Sequence, residues 1–327
     1  MRTRRLGRNG PQVSALGLGT FSFGGAYGPT DEAEALRTLD AAWDHGITFL
    51  DTANIYGNGI AETFIGKWLA TRPHRPHIAT KASLTGIPER RVDNSLAYLR
   101  AELESSLKRL GMDHVALFYA HRHDPNVPAE ELAGSMQRLQ AEGKILGYGL
   151  SEVAPYTVER AHAVHPVSAV QNEYSLWTRQ PELGLIQRCA TLGVAFVPFS
   201  PLARGAFGTT LPDPAQFAPG EFRTRVPRFN AENWPHNLLK LQAFRNYAQD
   251  RGCSPAALAL AWILDRGTHV IPIPGTRSTR HLADWVTAPE IDLSDEDREE
   301  IERLLPIGWA WGDRYDDVQT TLSERYC

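Results

Sequence analysis

Four polar side chains with complementary chemistry lie at or just after the ends of short apolar runs. Asp51 closes TFLD and Tyr56 lies five residues later, while Lys81 closes HIATK and His121 follows VALFYA. A lysine ammonium favours a neighbouring phenolate and lowers the pKa of the tyrosine, and a carboxylate fixes that ammonium. An imidazole alongside can hydrogen-bond a carbonyl or relay a proton. The set indicates a proton donor aimed at an oxygen that becomes an alkoxide, as carbonyl reduction by hydride requires.

Eight apolar, β-rich runs alternate with helical patterns, and these runs are too continuously apolar for a one-sided sheet. They lie at 15–19, 48–51, 77–81, 115–120, 145–151, 168–172, 194–200 and 269–274. Alternation of this kind predicts an α/β fold, a (β/α)₈ TIM barrel spanning 1–327 as a single domain. In such a barrel all strands end at one rim, where the four side chains would meet.

Several further features fit this architecture. Asn9-Gly10 predicts an N-terminal hairpin with a type I′ turn that plugs the barrel bottom. The Pro/Gly-rich stretch 201–235 is long enough to be a functional lid, and two helical patterns follow it. Gly46, Gly111, Gly143 and Gly193 are predicted to end helices, and the tail after Pro306 places Trp309, Trp311, Tyr315 and Tyr326 over the barrel mouth or against a second subunit.

Composition excludes several classes of protein. The chain has 327 residues and a net charge of −4, which gives no basis for binding nucleic acid or an anionic membrane. It contains neither a signal-peptide pattern nor an apolar run of about 18 residues. Three scattered cysteines, Cys189, Cys253 and Cys327, are typical of reduced thiols, so we expect a cytoplasmic protein. The sequence leaves the oligomeric state open.

The rim residues have two other interpretations. Taken singly, each of the four suits a strand cap, a salt bridge or a packed ring, but together at three adjacent strand ends they favour a functional site. His121, His123 and Asp124 resemble part of a zinc site in a metal-dependent hydrolase. Strands five and six end in Ser151 and Asn172, which supply no further ligand of that type, so we expect no metal.

At this point the motifs resemble the aldo-keto reductase superfamily. The resemblance is carried by DTANIYG (51–57), LFYAHRHDPN (117–126), GLSE (149–152), AVQNEYSL (169–176), FSPLARG (199–205) and IPIPGTRS (271–278), in order along the whole barrel. It implies NAD(P)H-dependent reduction of an aldehyde or ketone to an alcohol. It also implies that Tyr56 is the general acid, that Lys81 and Asp51 tune it, and that His121 acts beside it.

No GxGxxG motif follows an early strand, so a nicotinamide cofactor would have to lie on the rim. Ser151, Glu152 and Gln171 are suited to the carboxamide, and Phe199 to stacking on the nicotinamide. Ser278 is a predicted helix N-cap. The guanidinium of Arg277 can bind the 2′-phosphate through two N–H groups, which favours NADP(H) over NAD(H). By resemblance, the remaining cofactor positions are Gly19, Thr20, Asp51, Ser200, Leu202, Arg204, Gly205, Gly275, His281 and Asp284.

The chain departs from the pattern of the family at the last helix, where it has His281, Ala283, Asp284 and Trp285. The resemblance therefore does not define the contacts of the adenine end of the cofactor: Trp285 either stacks on adenine or belongs to the core. An apolar substrate wall is expected from Phe21, Phe23, Tyr27, Ile55, Trp177, Trp309 and Trp311. Arg122 either holds an acidic substrate or forms a rim salt bridge. Two alternatives of function also stay open: an NADP(H)-binding accessory or redox-sensing subunit, and an enzyme working mainly in the alcohol-oxidising direction.

Overall fold

Nine short strands and eleven α-helices are present in residues 1–86 and 91–326, the part of the chain that the computed structural model describes; Cys327 lies outside it. The strands are β1 (Thr3–Arg5), β2 (Gln12–Ser14), β3 (Leu18–Gly19), β4 (Phe49–Asp51), β5 (His77–Ala82), β6 (Leu117–Ala120), β7 (Tyr148–Ser151), β8 (Ala169–Gln171) and β9 (Ala195–Phe196). The helices are α1 (Glu32–Asp44), α2 (Ile60–Thr71), α3 (Leu96–Leu110), α4 (Ala129–Ala141), α5 (Pro155–Val164), α6 (Leu185–Leu192), α7 (Trp234–Asp250), α8 (Pro255–Leu264), α9 (Thr279–Ala283), α10 (Asp295–Leu304) and α11 (Asp317–Thr320).

Strands β3 to β9 form one parallel sheet in chain order, which confirms the predicted α/β barrel architecture. The eighth predicted run, 269–274, closes this sheet without being a regular strand. Parallel bridges join Val270 to Phe196 on β9 and Gly275 to Gly19 on β3. The closing segment therefore lies between the first and last strands of the sheet, as an eighth barrel strand should.

Two prolines explain why the closing segment is irregular. The N–H groups of Ile271 and Ile273 donate towards the β9 side, over 2.8 and 3.1 Å. Towards β3, Pro272 and Pro274 have no N–H to donate, and their carbonyl oxygens only accept, each at 3.0 Å, from Gly17 and Gly19. On the side that faces β3, half of the backbone hydrogen bonds of a regular strand are therefore missing, although the chain follows the path of a strand.

The helices cover the outside of the sheet through their apolar faces and end where the sequence predicts. Ser95 caps α3 by accepting a hydrogen bond from the N–H of Tyr98, and Ser254 caps α8 in the same way. The four predicted terminal glycines, Gly46, Gly111, Gly143 and Gly193, all have a positive φ, between 66° and 80°.

The N-terminal hairpin forms, but its predicted type I′ turn at Asn9-Gly10 is wrong. β1 pairs antiparallel with β2, and the left-handed residue of the connection is Gly7, with φ 80°. The connection is longer than two residues because Leu6 turns inward, its N–H donating to the carbonyl of Pro11. Leu6 and Val13 are buried in the same apolar cluster as the barrel-lining residues.

The stretch 201–235 consists of short 3₁₀ turns that reach across the barrel mouth, and α7 and α8 follow it as predicted. The N–H of Phe222 donates to the carbonyl of Ala26 over 3.0 Å, and the ring of Phe222 lies 5.5 Å from that of Phe21. This long loop therefore meets the loop after β3. No helix within the described ranges is long and apolar enough to cross a bilayer.

Candidate active site

The two-residue period of the barrel strands positions the polar side chains of the rim. Phe49, Ala79, Leu117 and Ala169 belong to a buried cluster inside the barrel, whereas their chain neighbours Leu50, Ile78, Phe118 and Val170 belong to the surrounding core. Because side chains alternate along a strand, inward positions recur every second residue. Continuing this count to the C-terminal ends leads to Asp51, Lys81, His121, Ser151, Gln171 and Phe199. The rim residues identified from the sequence therefore share the inward face.

Lys81 is the centre of the polar cluster and is completely buried. Its ammonium nitrogen forms an ion pair with Asp51, donates to the carbonyl of Thr52 over 2.8 Å and lies 3.3 Å from the hydroxyl of Tyr56. The second carboxylate oxygen of Asp51 accepts from the amide nitrogen of Gln171 over 2.8 Å. The carboxylate is thus held on both sides, and the ammonium is aimed at the phenol.

Tyr56 reaches the cluster from the loop after β4. Its ring lies 5.0 Å from that of Phe21 and 5.9 Å from the imidazole of His121, both edge-on. The following residue has to be glycine, because Gly57 has φ 59° and a Cβ there would lie 2.7 Å from the Cα of Gly24. This close approach of two loops fixes the phenol over Lys81.

A hydroxyl and an amide stand side by side where the sequence predicts the carboxamide site. Ser151 and Gln171 are register partners on the adjacent strands β7 and β8 and are both buried. Phe199 is half-buried and packs against the barrel-lining cluster. Glu152 differs from its neighbour Ser151, since its φ is 56° and its carboxylate faces Arg314 near the C-terminus.

The loop after β9 has a left-handed backbone at several predicted cofactor positions. Ser200 and Arg204 have φ values of 48° and 56°, and Gly205 has 99°. The guanidinium of Arg204 is buried and pairs with Glu173 over 2.7 and 3.2 Å. Leu202 is half-buried against the core.

The predicted phosphate end lies beside the loop after β3. Arg277 donates to the carbonyl of Gly28 over 2.7 Å and reaches Thr30 at 3.5 Å. Ser278 is the N-cap residue of α9, but its hydroxyl makes no capping hydrogen bond. Thr20 donates from its N–H and its hydroxyl to the carbonyl of Asp51, each over 2.9 Å. Gly19 bridges to Gly275, His281 is exposed and Asp284 is half-exposed.

Comparison with known proteins agrees with this arrangement. A model of the aldo/keto reductase family matches residues 15–306. A probable aldo-keto reductase 1 of Glycine max is 40% identical over 327 residues, covering 98% of this chain and 94% of that relative. The chain belongs to the aldo/keto reductase family.

Solved structures of other aldo-keto reductases are similar over nearly the whole chain. A glycerol dehydrogenase of Gluconobacter oxydans superposes with a TM-score of 0.85 at 29% identity, covering 96% of this chain and 98% of that one. An aldo-keto reductase of Bacillus halodurans in its holo form gives 0.78 at 27% identity, with 97% and 99% covered. The protein is therefore an NAD(P)H-dependent oxidoreductase whose substrates are small-molecule carbonyl compounds.

Burial and charge act in opposite directions on the phenol of this aldo-keto reductase. Burial raises the pKa of Tyr56 above its usual value, and the positive charge of Lys81 lowers it by less. The sequence-based expectation of a lowered pKa is therefore wrong in its net direction, although the effect of Lys81 has the expected sign. Burial opposes the charge of Lys81 as well, but Asp51 and Tyr56 raise the pKa of this ammonium. Tyr56 is thus protonated, and Lys81 charged, at neutral pH.

Sequence reasoning missed two members of the rim. Glu173 follows the strand that carries Gln171 and is completely buried between Arg204 and Arg314. Arg314 lies in the C-terminal tail, defined here as residues 313–326. In the sequence, the only indication of a role for Glu173 is that its carboxylate lies just past a strand end. No sequence pattern indicates a role for Arg314.

The expected substrate wall of this enzyme is partly present. Phe21 lies edge-on to the ring of Tyr56 at 5.0 Å, and Tyr27 and Phe222 pack edge-on against Phe21 at 5.6 and 5.5 Å. Phe23 is instead part of the core, and Trp177 and Trp309 are buried against each other, with ring centroids 6.5 Å apart. Trp311 stacks on His236 at 4.0 Å and is 53% exposed.

The contacts of Trp285 and Arg122 restrict the roles that the sequence leaves open for these two residues. Trp285 is buried in the core, which leaves no face of its ring for adenine. Arg122 forms no salt bridge within residues 1–86 and 91–326; it donates to the carbonyl of His121 over 2.6 Å and lies 3.4 Å from the hydroxyl of Ser151. No group of three metal-binding side chains is found in the same residues. His123, part of the metal hypothesis, instead pairs with Glu324.

Proposed function

We propose that this aldo-keto reductase reduces an aldehyde or ketone to an alcohol with NADPH, and that Tyr56 is the general acid. The whole chain, 1–327, would act as one barrel domain. The observation that carries the proposal is the position of the Lys81 ammonium, bound to Asp51 and 3.3 Å from the hydroxyl of Tyr56. Such a set can hold a proton at one oxygen and stabilise the anion left after its transfer.

Each member of the set has a defined task. Tyr56 keeps its proton at neutral pH and gives it to the substrate oxygen as negative charge develops there. Lys81, held by Asp51, then stabilises the phenolate through its positive charge. His121, edge-on to the phenol at 5.9 Å, would hydrogen-bond the same substrate oxygen and orient it. A nicotinamide cofactor bound on the rim would supply the hydride for the carbonyl carbon.

The side chains on the rim suit a nicotinamide cofactor. Ser151 and Gln171 stand in register as a hydroxyl and an amide, the groups that pair with a carboxamide. Phe199 lies on the same inward face and offers an apolar ring. Gly19, Thr20, Glu152, Ser200, Leu202, Arg204, Gly205, Gly275, Ser278, His281 and Asp284 remain proposed cofactor positions.

A preference for NADP(H) is proposed from Arg277. Its guanidinium is half-buried beside Gly28 and Thr30, has no carboxylate partner within the described residues and can take a phosphate in a two-pronged contact. Arg204, by contrast, gives its guanidinium to Glu173. A contact of Arg204 with a pyrophosphate would therefore use its backbone or require exchange of partners.

The rings near Tyr56 favour an apolar substrate. Phe21, which contacts the ring of Tyr56, packs with Tyr27 and Phe222 into an aromatic surface, which suits an aromatic or aliphatic aldehyde or ketone better than a highly charged one. An accessory, cofactor-binding role and net oxidation of an alcohol use the same residues. They are distinguished by turnover with each class of substrate.

A carbonyl panel tests the proposal. Purified protein with NADPH is mixed with aromatic and aliphatic aldehydes and ketones, and with alcohols including glycerol plus NADP⁺, while the absorbance of the reduced cofactor is followed. We expect reduction of at least one apolar aldehyde or ketone. Tight binding of NADPH without turnover of any compound would contradict the proposal and favour the accessory role.

A further inference from the structure

The C-terminal tail covers the ends of β7 and β8 and carries one charge into the rim. The guanidinium of Arg314 binds the carboxylate of Glu152 and lies 3.5 Å from that of Glu173, and both carboxylates are at most 1% exposed. Glu173 binds Arg204 on its other side. Two positive and two negative charges therefore alternate in a buried chain that the tail completes.

Glu152 is held in a strained conformation by these tail contacts. Its φ of 56° is rare for residues other than glycine, asparagine and aspartate. A residue keeps such a backbone conformation only when its surroundings fix it. Its carboxylate accepts from the hydroxyl of Ser323 over 2.8 Å and from the N–H of Glu173 over 2.9 Å. Its carbonyl accepts from the N–H of Glu324 over 3.0 Å. Three tail residues thus fix the residue that follows Ser151.

We propose that Arg314 is a positioning residue for the nicotinamide end of the cofactor site, acting through Glu152 on Ser151. The proposal rests on the proposed function, because it takes Ser151 and Gln171 as the carboxamide partners. Without Arg314, the Glu152 carboxylate would be buried without its main counter-charge. The turn that ends β7 would then relax, and Ser151 would lose its place beside Gln171.

The charges around Glu152 give this role a pH signature. Although burial opposes its ionisation, Arg314 and Arg122 lower the pKa of Glu152 to about 2. The other groups that face its carboxylate are the hydroxyl of Ser323 and the N–H of Glu173, and both donate hydrogen bonds to it. When Arg314 is removed, its lowering effect is lost and burial raises the pKa of Glu152, so that the carboxylate takes up a proton more readily as the pH falls.

The test compares Arg314→Gln with Arg314→Lys and with Arg225→Gln. Arg225 is the matched control, because it pairs with Asp316 of the same tail, is mostly exposed and makes no ion pair with Glu152 or Glu173 in the described residues. Two quantities are measured: the fluorescence anisotropy of NADPH bound to each protein, which reports the order of the nicotinamide, and the single-turnover rate of carbonyl reduction. Each is followed from pH 5 to pH 8.

We expect Arg314→Gln to lower the anisotropy of bound NADPH and to reduce the single-turnover rate at least ~10-fold, since small misplacement of reacting groups costs factors of this size. The Kd of NADPH should change by less than about 3-fold, because the phosphates are held elsewhere. Both losses should become smaller as the pH is lowered towards 5, because protonation of Glu152 removes the unpaired buried charge. Arg314→Lys should restore part of the signal, and Arg225→Gln should match the wild type.

Wild-type anisotropy and rate in Arg314→Gln would overturn the proposal, as would equal losses in Arg225→Gln. If Arg314→Gln does not fold, Arg314→Lys decides: a wild-type anisotropy and pH profile contradict the role, and an intermediate loss supports it. Failure of the proposed function is visible separately. A wild-type protein that binds NADPH but reduces no carbonyl refutes carbonyl reduction, while the anisotropy still tests Arg314.

Discussion

The ammonium nitrogen of Lys81, which is completely buried, lies 3.3 Å from the hydroxyl oxygen of Tyr56, which is half-buried. In water this contact would make the phenol more acidic. Here burial outweighs it and raises the pKa of Tyr56. The phenol therefore enters the reaction protonated, and the charge of Lys81 becomes useful only when the proton leaves. Proton donation to an alkoxide needs no lowered pKa, since an alkoxide is the stronger base.

The direction of this pKa shift predicts opposite pH profiles for the two directions of the reaction. Reduction needs the protonated phenol, so its kcat should stay flat through neutral pH and fall only as the pH passes the raised pKa of Tyr56, above about 10. Oxidation needs the phenolate, so its kcat should rise towards alkaline pH. Initial rates in both directions in one buffer series check this. A reduction rate that already falls between about pH 7 and pH 8 would contradict a raised pKa.

Cofactor preference should follow Arg277. We expect Arg277→Ala to raise the Kd of NADPH about 10-fold or more while the Kd of NADH changes little, because one charge-assisted phosphate contact is worth about 1.5–3 kcal/mol. Fluorescence titration with both cofactors measures the change. Arg280→Ala is the control, since Arg280 is an exposed arginine in α9, three residues after Arg277. Equal weakening of NADH and NADPH would remove Arg277 as the selective residue.

The pair His123–Glu324 should fasten the tail more strongly at acidic than at alkaline pH. Although burial opposes its charge, Glu324 raises the pKa of His123 above its usual value. A raised pKa means that the stabilisation is complete below about pH 6.5 and is lost as the pH rises through the value in the folded protein. We expect His123→Gln to lower the free energy of unfolding at pH 6 by about 1 kcal/mol, after allowance for solvent screening, and by less at pH 9. Urea unfolding at both pH values measures this; an equal loss at both would exclude the ion pair as its cause.

Gly149 should be intolerant of a side chain because it leaves room for Tyr119 inside the barrel. A Cβ at Gly149 would lie 2.4 Å from the Tyr119 ring and 2.8 Å from the carbonyl of Ala169. We expect Gly149→Ala to destabilise the fold by about 1–3 kcal/mol through overpacking. Gly134→Ala in α4, where a Cβ meets no atom within 4 Å, should stabilise it by about 0.5–1 kcal/mol. Thermal unfolding of both variants gives the comparison, and equal Tm values would contradict it.

Much of the barrel and its catalytic rim could be predicted from the sequence because their signals are local. Each strand is a short apolar run, and Asp51, Lys81 and His121 stand at or just past the ends of three such runs, which a parallel barrel brings to one rim. The closing strand was recognised for the same reason, although Pro272 and Pro274 remove half of its ladder. The hairpin turn was predicted wrongly because Asn9-Gly10 is a strong local signal, while the actual connection depends on Leu6 entering the barrel.

What could not be predicted depends on contacts between distant parts of the chain. Arg314 and Glu173 are separated by 141 residues, and no local pattern joins an arginine in the tail to a carboxylate after β8. Trp311 was expected in the substrate wall, but its stacking on His236 depends on the packing of α7. The net pKa of Tyr56 likewise depends on burial, which the neighbouring charge of Lys81 does not reveal.

The most direct test of the central claim is the single-turnover rate of Tyr56→Phe with NADPH already bound. The substitution removes only the hydroxyl and leaves the aromatic ring in contact with Phe21 and His121. We expect the rate to fall about 10²- to 10⁴-fold, as for loss of a general acid, with the Kd of NADPH within about 3-fold of the wild type. Tyr156→Phe, on an exposed face of α5, should leave both unchanged. A Tyr56→Phe variant that reduces the carbonyl at the wild-type rate would show that the proton comes from another group.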